Sequence, residues 1–250
     1  MRRIFLILGA IILLVAGVFG YQHFSVKSKD QQRQMFDLVT SEKMQQLYEQ
    51  AQDWSRPIQL NVQDRRLQGD YKILSEFSLN FWYQNAERRN QYLRELKAAQ
   101  WDQFLNVSRL DADRQSGFKA TEQMLKTAHR VTESYQQDSM KIKQQALQQV
   151  AQLKIADELR LPLQEKLQRN LQMNNKNALI LLEIQILNHA DDMFALLKKY
   201  EWEKKDEQIL FKNDAQVKQF NALYASVLKL TAEIEQRKDG NAEALEGAID

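Results

Sequence analysis

The sequence predicts an all-α protein, an N-terminal transmembrane helix followed by an elongated antiparallel helical bundle. Three observations carry that reading. Turn-forming residues are scarce, with 7 Gly and 2 Pro in 250 residues, so the chain has few places where it must leave a helix. Apolar residues recur at three- and four-residue steps along most of its length, the period of an amphipathic helix. One run at the start, Ile4 to Phe19, carries no charged or polar side chain and follows directly on Arg2 and Arg3.

That first segment comes before everything else in the reading. A spanning helix needs about 20 apolar residues, and Ile4 to Tyr21 lies at the short end of that requirement. The apolar run of a secretory leader is shorter, about 7–15 residues. Residues 1–24 are therefore read as a signal anchor. Arg2 and Arg3 stay inside, Ile4 to Phe19 cross the hydrocarbon, and Tyr21, His23 and Phe24 meet the outer interface, where amphipathic rings settle. The body is then periplasmic, held by a single pass through a bacterial inner membrane. The alternative is cleavage near Gly20, which releases a soluble periplasmic or secreted body.

Residues 25–240 read as the helical bundle and residues 241–250 as a flexible tail. Its first helix covers 28–53, with Met35, Phe36, Val39, Met44, Leu47, Tyr48 and Ala51 as the apolar stripe. Trp54-Ser55-Arg56-Pro57 stops it, because the residue before a proline is pushed out of the helical region. In 58–68 apolar and polar residues alternate at Ile58, Leu60 and Val62. With no partner strand in view, a loop laid along the bundle is favoured over a strand. Residues 70–106 return to helix, with Asp70 as the N-cap and Leu74, Phe77, Phe81, Tyr92, Leu93, Leu96, Trp101, Phe104 and Leu105 as its stripe.

Residues 107–117 read as a polar break. The longest helix is expected over 118–159, on Leu125, Ala128, Val131, Tyr135, Ile142, Ala146, Val150 and Leu153. Its seam resembles a coiled coil but is not a strict heptad. Pro162 is placed in the first turn of the next helix, where a missing N–H does no harm. Ala178 to Leu187 is apolar almost all round, which implies burial on several sides. Glu183 and Gln185 make it too polar to span a bilayer. Residues 201–212 read as a charged connector with an extended piece at 209–211. Asn213 or Asp214 caps the last helix, with Gln216 in capping-box register. Val217, Phe220, Leu223, Tyr224, Val227, Leu230 and Ile234 give it the clearest amphipathic stripe in the body, and Lys238-Asp239-Gly240 marks its end.

Charge narrows the function classes. The chain has 35 Lys+Arg and 33 Asp+Glu, so without Arg2 and Arg3 the body is neutral. Its basic pairs are scattered among acids, whereas a nucleic-acid reader needs a concentrated basic surface to displace counterions. No nucleic-acid partner is expected. There is no cysteine, which excludes disulfides, thiol catalysis, Cys-ligated zinc and attachment of lipid to a lipobox.

Motifs for catalysis are equally thin. The three histidines are His23, His129 and His189. His129 and Glu133 are four apart on one helix face, as a two-ligand metal site requires. Neither His129 nor His189 has the glutamate three residues earlier that ferritin-like di-iron helices use, since Lys126 and Ile186 stand there. The chain has no nucleophile elbow, Walker A loop or HExxH motif. No catalytic, cofactor-binding or metal-ligating residue is assigned, and no cofactor is expected. Phe81-Trp82-Tyr83 is the densest aromatic cluster, so Phe77, Phe81, Trp82 and Trp101 are candidate lining for a small ligand between helices. Rings at helical spacing more often fill a core.

Two patches, Asp30-Gln31-Gln32-Arg33-Gln34-Met35-Phe36 and Phe211…Val217…Phe220-Asn221-Ala222-Leu223, resemble the opening and closing helices of the YiaF-like family. Its members are uncharacterised helical lipoproteins of the Gram-negative envelope. The resemblance implies an exported helical body in that envelope and supplies no site residues. This chain departs from the pattern in lacking the lipid-bearing cysteine. The function expected is non-enzymatic, protein–protein contact or scaffolding in the envelope. A small-ligand sensor is the alternative, and an envelope hydrolase the more distant one.

Overall fold

The computed structural model describes the backbone of residues 31–177 and 179–246 and the side chains of residues 31–169 and 179–237. The anchor residues Arg2, Arg3, Ile4, Phe19 and Tyr21 lie outside the described residues, as do residues 247–250. Within the described residues the chain is mostly helical. Its elements are α1 (Gln31–Gln52), α2 (Gly69–Ala98), a 3-10 turn (Trp101–Gln103), α3 (Val107–Arg114), α4 (Lys119–Ala151), α5 (Asp157–Asn177), α6 (Leu179–Lys199), β1 (Trp202–Lys205), β2 (Gln208–Phe211) and α7 (Asp214–Glu246). None of the described helices is long and apolar enough to cross a membrane.

The chain divides into two compact units. The first, the strap unit, takes the described residues up to Gln91 and those from Tyr135 to the end of α5; the second, the hairpin unit, takes Tyr92–Ser134 and Leu179–Arg237. α2 and α4 each contribute to both units, and α7 passes out of the hairpin unit after Arg237.

In the strap unit α1 buries Phe36, Val39, Leu47 and Ala51, one face at three- and four-residue steps. Tyr48, expected on that stripe, is exposed. Three apolar clusters hold the unit together. Phe36, Val39, Leu67, Leu74 and Ile155 form the first. Leu47, Ala51, Ile58, Leu79, Trp82 and Ala86 form the second. Ala146, Val150 and Leu167 form the third, with Phe77 and Phe81 against them. Residues 53–68 contain no helix or strand, in line with the Pro57 stop and with the loop favoured there over a strand.

The predicted helix over 118–159 is interrupted: α4 ends at Ala151 and α5 starts at Asp157. No glycine or proline lies in between. The chain turns because Ile155 and Leu153 enter the core beside Phe36 and Leu74, and because Asp70 Oδ2 accepts the Ala156 N–H at 2.8 Å. Asp70 thus serves the start of α5 instead of capping its own helix, which begins one residue earlier at Gly69. Pro162, in turn, is inside α5 and not in its first turn. It forfeits one intrahelical bond, a tolerable loss so close to the helix start.

In the hairpin unit the expected polar break is helical. α3 has Asn106 as N-cap, its side chain accepting from Arg109 N at 3.0 Å, and it buries Val107, Leu110 and Asp113. The signal was a capping asparagine followed by apolar residues three apart. α3 closes through two left-handed residues, Gly117 (φ 75) and Phe118 (φ 63). The Phe118 N–H returns to Asp113 O at 2.9 Å, and Gly117 N–H to Arg114 O at 3.0 Å, the Schellman pattern. Phe118 tolerates the unusual backbone because its ring is buried edge-on to Phe194, 5.6 Å away.

Among the described helices α6 is the most apolar, burying Leu182, Ile186, Leu187, Ala190, Met193, Phe194, Leu196 and Leu197. The all-α expectation misses the hairpin that follows. β1 and β2 pair antiparallel, Trp202 opposite Phe211 and Lys205 opposite Gln208, and Asp206 takes the left-handed turn position (φ 54). The predicted extended piece at 209–211 is part of β2. β1 was hidden in a run of charges and is fixed by Trp202. The Trp202 indole donates to Leu197 O at 3.1 Å, and its ring lies 4.4 Å beneath the Arg114 guanidinium. Asn213 caps α7 by accepting from Ala215 N at 2.8 Å. α7 is described to Glu246, past the predicted end at Gly240. A single glycine lowers helix propensity without stopping the helix.

Candidate functional site

The candidate lining residues do not share one cluster. Phe77 and Phe81 pack against Ala146, Val150 and Leu167 in the strap unit. Trp82 is buried with Leu47, Ala51 and Ile58, and Phe81 and Tyr83 pack at the edge of that group. Trp101 belongs to the hairpin unit, where it is 2% exposed and stacks on Phe104 with ring centroids 5.0 Å apart. Three of the four rings therefore come together along α2.

What lies against Trp82 is the chain itself. The strap, residues 57–63, runs along α1 and α2, with Ile58 buried and Leu60 and Val62 half-buried in the same cluster. Gln59, Asn61 and Gln63 between them are exposed. The main chain of 57–63 bonds to no other main chain among the described residues. Side chains read it instead. The Gln50 amide donates to Gln59 O at 3.0 Å and accepts from Gln59 N at 2.7 Å, and Glu87 accepts from Ile58 N at 2.8 Å. At its far end Arg66 pairs with Glu42 at 2.6 Å and Asp64 at 2.9 Å. Those bonds from Arg66 hold the Glu42 and Asp64 carboxyls below the usual carboxylate range. Gln50 and Glu87 look like ordinary helix-surface residues in the sequence, and nothing there marks them as partners of the strap.

The polar clusters of the hairpin unit close on themselves. The Asp113 carboxylate accepts from Thr121 N at 2.8 Å, Thr121 Oγ1 at 2.7 Å, Ser116 Oγ at 2.8 Å and Ala120 N at 3.1 Å. Burial opposes its charge, but the bonds from Thr121, Ser116 and Ala120 outweigh that and hold its carboxyl below the usual range. Arg109 joins the same knot, donating to Gln103 O, Thr121 Oγ1 and Phe104 O. The knot ties the 3-10 turn and α3 to the N-terminus of α4, where a negative charge also meets the positive end of the helix dipole.

A second buried group is Glu183, the one acid in the apolar start of α6. It is 6% exposed and accepts from the Tyr92 hydroxyl at 2.8 Å, with Thr132 Oγ1 3.2 Å from the same hydroxyl. His129 does not pair with Glu133 on its own helix. Its Nε2 lies 2.7 Å from Asp191 Oδ2 on α6, a partner too distant in sequence to be read from spacing. His189 is half-buried on the same helix, and His23 lies outside the described residues. Among the described residues no three His, Cys, Asp or Glu side chains group to hold a metal ion.

Compared with protein-family models, curated proteins and solved structures, the chain matches none.

Proposed function

We propose that this is a membrane-tethered, exported helical protein that works by protein–protein contact or scaffolding in a bacterial envelope, with no catalytic step of its own. The positive flank and apolar run of residues 2–19 support the tether and its orientation, with the body facing the periplasm. The resemblance to YiaF-like lipoproteins supports the envelope setting. Membrane attachment here rests on the helix alone, because the chain has no cysteine to carry lipid.

The observation that carries the contact reading is the state of α7. Its stripe is apolar along one face, yet only Val227 and Ile234 of the seven predicted stripe residues are buried in the hairpin unit. Val217, Phe220, Leu223, Tyr224 and Leu230 are half-buried, and Leu228 on the flank is 40% exposed. A helix with an incompletely covered apolar face offers the anchors that a partner's groove or helix takes up. A photo-crosslinking residue in place of Leu228, activated in intact cells, should capture a defined partner. The same residue in place of the exposed Gln219 should not. Adducts absent at both Leu228 and Tyr224 would remove this reading.

A further inference from the structure

Residues 53–68 are the longest irregular stretch among the described residues. Connections of more than about 12–15 residues without secondary structure are uncommon in compact domains and are usually either functional, as lids or binding loops, or linkers. Here the central part, 57–63, behaves as an extended peptide seated in a groove. Its burial alternates with a period of two, buried or half-buried at Ile58, Leu60 and Val62 and exposed at Gln59, Asn61 and Gln63. The groove is walled by Leu47 and Ala51 of α1 and by Leu79, Trp82 and Ala86 of α2.

The mode of holding is what points to a binding site. A side-chain amide that both donates to and accepts from one residue's main chain takes the place of a neighbouring strand, and it does so without regard to that residue's side chain. Gln50 does this at Gln59, and Glu87 adds a third main-chain bond at Ile58 N. Selectivity falls to the alternate apolar positions and to the cation at Arg66 that meets Glu42. Departure of the strap would break no backbone hydrogen bond of α1 or α2, since none of the bonds holding 57–63 is between main chains.

We propose that this groove is a binding site for an extended segment of a partner protein, and that residues 57–63 are its resident occupant, exchanged for the partner's segment. The segment that fits has apolar residues at three alternate positions and a Lys or Arg four residues beyond the last of them, the pattern of Ile58, Leu60, Val62 and Arg66. This site uses other residues than the face of α7, so either proposal can fail while the other stands.

The probe is a fluorescein-labelled peptide of residues 55–68, with a scrambled peptide of the same composition as control, added to the full-length chain in detergent. Because the chain has no cysteine, the double variant Glu42→Cys, Arg66→Cys can be bridged with a short bis-maleimide to fix the strap in place. The parent chain should bind the peptide at least about tenfold more tightly than the scrambled control, about 1.4 kcal/mol, and the unbridged variant, which lacks the Glu42 carboxylate, less tightly but still above the control. Bridging should abolish that binding. In the peptide, serine in place of Ile58, Leu60 and Val62 should abolish binding to the otherwise unaltered chain. Equal binding to bridged and unbridged protein, or no binding to the unbridged protein, would overturn the proposal. So would a strap-exchanged dimer that the peptide dissolves, which would give the groove to a second copy of this chain.

Discussion

Asp70 and Ala156 are 86 positions apart, yet the Asp70 carboxylate accepts the Ala156 N–H at 2.8 Å. The first turn of α2 thereby caps the entry to α5 and explains why the chain turns at 152–156 without a glycine or proline. Asp70→Ala should cost about 1 kcal/mol, the usual loss when a capping side chain is removed. Chemical denaturation followed by circular dichroism checks it, and a variant as stable as the parent would mean the turn is held by Leu153 and Ile155 without the Asp70 bond.

Asp113 ties α3 to α4 through four accepted bonds, and Asp113→Ala leaves buried donors unmatched. The expected loss is about 2–3 kcal/mol. Its carboxyl is held below the usual range in the folded state, so the stabilisation is fully present above about pH 4 and is lost as pH falls through the lowered value. The urea midpoint should drop on going from pH 5 to pH 3, and the drop should be smaller in Asp113→Asn, which has no carboxyl to protonate.

Glu183 is a buried carboxyl group that accepts from the Tyr92 hydroxyl. Tyr92→Phe removes that donor and should cost about 0.5–1.5 kcal/mol, the usual net contribution of one intramolecular hydrogen bond. Addition of Glu183→Leu to Tyr92→Phe should recover part of the loss, because replacing both partners by apolar groups is less costly than removing one of them. Equilibrium unfolding of the two variants decides it.

Lys166 titrates early. Burial, helped by the nearby Arg169 charge, pushes it down to about 8. A lysine lowered in the folded state is neutralised there before it is neutralised in the unfolded chain. Stability therefore carries a penalty below pH 8 that fades as pH rises toward about 10.4, the ordinary lysine value. Lys166→Met should flatten that rise. Brief amine acylation at pH 8 should also mark Lys166 ahead of the exposed Lys154, as mass spectrometry of the digested chain would show.

Gly117 sits at φ 75 with nothing within 4 Å of an added Cβ. Gly117→Ala should therefore cost only the backbone penalty, about 1 kcal/mol, with no repacking of Phe118 on Phe194. A larger loss in thermal melting would show that the α3–α4 turn depends on more than the left-handed conformation.

The helices were legible because their stripes are long and periodic, as in α1, α4 and α7. Pro57 and the lack of a partner strand made 58–68 legible as a loop, although the alternation of Ile58, Leu60 and Val62 by itself argued for a strand. α3 was not, since eight mostly polar residues carry too short a pattern, and only Asn106 signalled it. β1 was masked by Glu203, Lys204 and Lys205, where one tryptophan fixes the strand. The strap groove was half legible. Phe81 and Trp82 stood out as rings, but Gln50 and Glu87 acquire a role only once the chain has folded back on them, and Trp101 belongs to a different unit. His129 took its partner from another helix, which spacing along one helix cannot reveal.

One measurement tests the proposed tether and the proposed outward-facing body together. Spheroplasts of cells expressing the chain are treated with proteinase K from outside, and the surviving fragments are identified by mass spectrometry. A membrane-protected fragment that begins at Met1 and ends soon after Tyr21, with the helical body digested, is the predicted result. A body that survives digestion intact until the membrane is broken would contradict it.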